Sequence, residues 1–295
     1  MLYLNGIKEN LETLAVIART CQPETKIQSF SSIKKGLRSY LLKFQPKSII
    51  LSEEADKIIE IKDSMQIEAF RDLFGERSKL NDLKQESLID ANSSWDHKQL
   101  SSTKFIEAMD FINNKDPFVF QYINLLFNYF FFAESTKAAG GSTSGGIGVL
   151  WVNPKKSWTT QDYCEFIIHE MTHQILFYDE RRFEHYPEYE KMSKSENFAY
   201  STILNKSRPL DKVIHSLFVG INVLLFRELF FGLDSCPTLH PSSDSIIRSL
   251  AKTFESIEQL NSELFSPRLK SLLKQAKLKH QELNKKEALY YECTI

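Results

Sequence analysis

Half of the chain's ten glycines, Gly140, Gly141, Gly145, Gly146 and Gly148, fall in one short stretch, and the rest of the 295 residues is nearly free of them. A sequence so poor in glycine elsewhere has few places where the backbone can turn through positive φ, which favours long helices around one permissive loop. The loop is predicted at this cluster, with Ser142, Thr143 and Ser144 inside it. Ile147 to Val152, apolar, partly β-branched and closed by Asn153-Pro154, reads as a short strand. Upstream, Lys8 to about Ile89 is rich in Leu, Ile, Lys and Glu, with Leu11, Leu14, Ala15 and Ile17 on one helical face; Pro46 breaks the first group and Gly75 marks a further turn. A second helical group is expected from Phe105 to Phe132, ending in the core cluster Tyr129, Phe130, Phe131 and Phe132.

Downstream, Thr159 or Thr160 caps a helix carrying Phe166, Ile167, Met171, Ile175 and Leu176, Pro209 opens a long helix ending near Gly232, and Ser266-Pro267 opens a last one. The expected fold is mainly α with a small β-sheet, an α+β arrangement with a metal site between two core helices. Residues 1–135 form a mostly helical region suited to substrate recognition, and 136–295 carry the chemistry. No flexible linker marks a boundary, so one continuous compact unit is expected.

Charge excludes some partners. Lys+Arg 37 against Asp+Glu 38 leaves a formal charge of -1, which gives neither nucleic acid nor an anionic membrane a basic surface. The opening MLYLNGIKEN holds too short an apolar stretch for a secretory signal, and Val213 to Phe226 falls short of the about 20 residues a bilayer span needs. Cys21, Cys164, Cys236 and Cys293 are far apart and form no CxxC pair, so reduced thiols in the cytoplasm are expected.

The chemistry lies in His169-Glu170-Met171-Thr172-His173, an HExxH pentapeptide inside the helix that follows the strand. At 3.6 residues per turn the two imidazoles sit roughly 40° apart on one face and about 6 Å apart along the axis, so one ion can take both. Glu170 lies about 100° round, where its carboxylate can reach a metal-bound water or buttress a ligand. The apolar flanks predict that the histidines face a protected interior. A third ligand must come from elsewhere. A metzincin-type continuation would need a glycine at Leu176 and a histidine at Asp179, and neither is there. His215, set in the apolar helix Val213-Ile214-His215-Ser216-Leu217-Phe218-Val219, is the better candidate; Glu228, His185 and His240 are the alternatives.

Three segments together carry a family resemblance: Ser142-Thr143-Ser144-Gly145-Gly146-Ile147-Gly148 before the strand, His169 to His173, and Tyr200-Ser201 followed by Arg208-Pro209-Leu210 and His215-Ser216-Leu217-Phe218-Val219. Over Ser142 to Val219 the chain resembles the HExxH-motif family of alpha-ketoglutarate-dependent peptide beta-hydroxylases, associated with ribosomally made natural products. It departs where members often show Ser-Pro, having Ser201-Thr202. The resemblance implies a non-haem iron dioxygenase: Fe(II) held by His169, His173 and His215, 2-oxoglutarate and O2 as co-substrates, and hydroxylation at Cβ of a residue in a peptide, a ribosomally made precursor. Arg208 is then the cation for the distal carboxylate of 2-oxoglutarate. Ser142, Thr143, Ser144 and Trp151 would offer an extended peptide a sheet edge, with Tyr200 lining the cleft. The competing expectation is a zinc metallopeptidase with Glu170 as general base.

Overall fold

A computed structural model describes residues 6–24, 26–51, 56–75, 89–90 and 98–293. The part of the expected N-terminal helical stretch that falls on 76–88 lies outside the described residues. The protein is mainly helical with a small mixed sheet and a two-stranded ribbon, as expected. It divides into two compact units, one made of residues 11–178 and the other of 1–10 and 179–295. The division falls after Tyr178, away from the 135/136 boundary read from composition.

The first unit holds most of α1 (Ile7–Arg19), α2 (Phe30–Phe44), α3 (Ser64–Arg71), α4 (Lys98–Lys115), α5 (Pro117–Leu126) and the greater part of α6 (Thr160–Arg182). Its sheet runs in the order β1 (Ile59–Glu60), β2 (Tyr129–Phe132), β4 (Val149–Val152), β3 (Gly140–Gly141). The aromatic cluster corrects the helical expectation: α5 ends at Leu126, Phe127 is extended, and Tyr129–Phe132 is a strand. All four residues are buried, with β1 and β4 both parallel to them, Tyr129 opposite Val149 and Phe132 opposite Val152. A strand covered on both faces reads as an unbroken apolar run, and aromatic side chains fill that pleated surface well; nothing in such a run shows the period of two. This pairing joins residues on both sides of position 135, which is why the unit boundary does not fall there.

Glycine matters most at Gly148, whose φ is +86° and where a Cβ would meet Asn128 Nδ2 at 2.6 Å. Lys34 closes the end of α5, its buried ammonium donating to the carbonyls of Asn124 and Phe127. Burial pulls that amine down to about 7.

The second unit is built on α7 (Leu210–Phe230), α8 (Ser243–Glu258) and α9 (Pro267–Cys293), with β5 (Ala199–Ser201) antiparallel to β6 (Lys206–Arg208). Pro209 starts α7 and Gly232, at φ +90°, follows its end, as the sequence predicted. By length and composition α7 is able to cross a membrane, but 78% of its most apolar window is buried within the protein, as befits a core helix.

Candidate metal centre

Helix α6 starts on a reciprocal cap. The Thr159 N–H donates to Asp162 Oδ2 at 2.7 Å, and the Asp162 N–H returns to Thr159 Oγ1 at 3.3 Å. Phe166, Ile167, Ile168, Met171, Ile175 and Leu176 are buried and fix the rotation of the helix. That rotation leaves His169 and His173 half-buried on the same face, their ring centroids 5.0 Å apart. They are reachable from solvent, where the sequence predicted an enclosed pair.

Ligand atoms of His169, Glu170 and His173 all lie within 4.8 Å of one another, the one such group among the described residues. Metal–nitrogen and metal–oxygen bonds of about 2.0–2.2 Å put neighbouring donors roughly 3–4 Å apart, so small side-chain rotations bring this set onto one ion. Two imidazoles and a carboxylate also suit Fe(II) or Zn(II) and do not suit Ca(II) or Mg(II), which take oxygen donors.

Glu170 is the most constrained of the three. Its Oε2 accepts the Ser142 hydroxyl proton at 2.7 Å, while Oε1 stays 3.8 Å from His169 Nε2. Burial pushes the carboxyl up to about 8, against the pull of the Ser142 hydroxyl and backbone N–H. One residue beyond His173, Gln174 Oε1 accepts the Gly148 N–H at 2.9 Å, so the glycine cluster is tied to α6 at two points.

These ties change the expected role of the loop. Ser142, Thr143 and Trp151 are buried, and Trp151 donates its indole N–H to the Ala133 carbonyl at 2.8 Å. β4 lies between β2 and β3, so it offers no free edge to an extended peptide. The correction has a simple cause: Gly140 and Gly141 form a short strand of their own on that side. Ser144 is half-buried, with its carbonyl accepting from Gln45 Nε2 at 2.6 Å.

The remaining expected residues belong to the second unit. His215 is buried on α7 with Nε2 3.1 Å from Glu180 Oε1. Arg208 ends β6, opposite Ala199. Half-buried Tyr200 donates its hydroxyl to Asn205 Oδ1 at 3.0 Å, and the Lys252 ammonium lies over its ring. Of the alternative ligands, Glu228 is ion-paired with Lys286, and His185 Nε2 meets Asp179 Oδ2 at 2.7 Å. His240 is buried in the same unit. Asp179, read from the sequence only as a failed ligand, is a buried anchor: Arg268 forks onto both its oxygens, at 3.0 and 2.6 Å. Burial opposes its ionisation, but hydrogen bonds from His185 and Arg268 outweigh that and hold the carboxyl below its usual range.

Sequence reasoning missed Gln174 and Glu180. No signal pointed to Gln174. Glu180 had one, since seven residues after His173 is nearly two full turns, which returns it to about the same helical face. Among known proteins, no family model matches the chain and no curated protein matches it.

Proposed function

We propose that the protein is an Fe(II)- and 2-oxoglutarate-dependent oxygenase that hydroxylates Cβ of a residue in a peptide substrate, a ribosomally made precursor, in the cytoplasm. The observation that carries the proposal is the cluster of His169, Glu170 and His173, two imidazoles on one face of a rigid helix with a carboxylate beside them. The resemblance across the loop, the HExxH helix and the Arg-Pro-Leu and His-x-x-Phe-Val segments then selects among metals and reactions.

In this reading His169 and His173 hold the ion and His215 is the third ligand. When bound, iron(II) with 2-oxoglutarate and O2 supplies the oxidising chemistry, yielding succinate, CO2 and a hydroxylated carbon. The protein's own part is positioning. Arg208 would hold the distal carboxylate of the keto acid, a task that suits a planar guanidinium. Glu170, held by Ser142, stands beside the two imidazoles, where it would orient the groups around the ion. Ser144 and Tyr200 are the residues of the expected peptide-binding set that keep exposed surface.

The zinc peptidase reading is favoured by the place of Glu170 beside the imidazoles, where a general base would stand. Against it, one oxygen of that carboxylate is taken by Ser142, and the sequence lacks the metzincin continuation.

Turnover separates the two. Iron-loaded protein given 2-oxoglutarate, O2 and a library of precursor-like peptides is expected to form succinate and peptide products heavier by one oxygen, in equal amounts. Zinc-dependent cleavage without succinate would replace the oxygenase by the peptidase.

A further inference from the structure

We propose that Ser142 is a positioning residue that keeps Glu170 from coordinating the metal: by holding the carboxylate against the glycine loop, it leaves a coordination position open beside His169 and His173. This rests on the reading of the HExxH helix as a metal centre, and goes beyond it by naming what holds the carboxylate of the cluster off the ion.

Three contacts lay the loop along one stripe of α6. Phe166, Glu170 and Gln174 are spaced four apart, so they line one face of the helix, next to the face that carries the two imidazoles. Gly140, at φ +136°, packs so closely on Phe166 that a Cβ would come within 2.6 Å of the ring. Ser142 donates its hydroxyl to Glu170 Oε2 at 2.7 Å, and its backbone N–H supports the same carboxylate. The Gly148 N–H donates to Gln174 Oε1 at 2.9 Å. Gln45 grips the loop from elsewhere, donating from Nε2 to the Ser144 carbonyl and accepting the Ile147 N–H at 3.0 Å. With the loop held at these points, Ser142 is a fixed anchor for Glu170.

Glu170 stands close to coordination without a free path to it. One of its oxygens lies within 4.8 Å of a ring nitrogen of each histidine, and Oε1 is 3.8 Å from His169 Nε2. Turning the carboxylate onto an ion would break the hydroxyl bond. Ser142 is fully buried and Glu170 only 4% exposed, so little water is at hand to replace it. A catalytic metal keeps an open position, whereas a structural one is closed by protein ligands. The Ser142 hydroxyl thus favours a centre that can take co-substrates over one closed by its own glutamate.

The test is a set of Co(II) titrations of the wild type, S142A, E170A, H169A and the S142A/E170A double variant at one pH. Affinity is read together with the visible spectrum, which weakens as coordination number rises. In S142A only the backbone N–H still holds Glu170. That variant is expected to bind Co(II) roughly fivefold more tightly, the worth of one ordinary hydrogen bond, and to absorb more weakly. In the E170A background the same substitution should change neither quantity. E170A itself should lose far less affinity than H169A, a comparison that answers alone if S142A does not fold. Unchanged or weaker binding by S142A, a spectrum like the wild type's, or an E170A loss as large as that of H169A would overturn the role of Ser142. A wild type that binds no Co(II) would overturn the metal-centre reading and this inference together. These measurements need neither 2-oxoglutarate nor turnover, so the oxygenase reading stands or falls separately.

Discussion

His173→Ala is expected to abolish turnover and to weaken metal binding by more than about 100-fold, since loss of a partner behind a ligand already costs 10–100-fold and a direct donor matters more. The reason lies in how few donors the helix supplies. His169 and His173 are its two imidazoles on that face, and Glu170 is drawn towards Ser142. Alanine leaves the fold intact, because it is the strongest helix former and His173 is only half-buried, stacking on Phe177 with centroids 6.1 Å apart. Elemental analysis after anaerobic loading, with circular dichroism as the folding control, checks this. Wild-type metal content in a folded His173→Ala protein would remove the site from α6.

Arg268→Ala is expected to destabilise the protein by about 3 kcal/mol, the low end of the range for breaking a buried ion pair by removing one partner. Asp179 is almost wholly buried, and Arg268 supplies both forked hydrogen bonds, an ion pair to Glu9 and a guanidinium stacked over Phe183. His185 still reaches Asp179 in the variant, which keeps the loss from being larger. Because the native carboxyl titrates below its unfolded value, the stabilisation is complete above the ordinary carboxylate range. It is lost as pH falls through the native value. The variant should therefore begin acid unfolding at a higher pH than the wild type. Urea titrations at neutral and acid pH read both effects, and a loss under about 1 kcal/mol with an unchanged acid limb would contradict this account.

The helices were legible because their signals are local. Thr159, Pro209 with Gly232 and Ser266-Pro267 each announce an end through residues within a few positions of it. Tyr129–Phe132 was not legible as a strand, because its identity comes from β1 and β4 on either side, which no local period records. The same division holds at the metal centre. The spacing of His169 and His173 is set by one helix and could be read directly. The Ser142–Glu170 bond joins residues 28 apart and exists only after packing. The loop was placed correctly and its role misread, since burial of Ser142 and Thr143 depends on the neighbours that β3 and α6 provide.

The most direct test of the central claim is spectroscopic. Wild-type protein loaded with one equivalent of iron(II) under anaerobic conditions should develop a metal-to-ligand charge-transfer band on adding 2-oxoglutarate, and Arg208→Ala should need far more of the keto acid to reach it. A centre that binds iron yet gives no such band at saturating 2-oxoglutarate would contradict the oxygenase account.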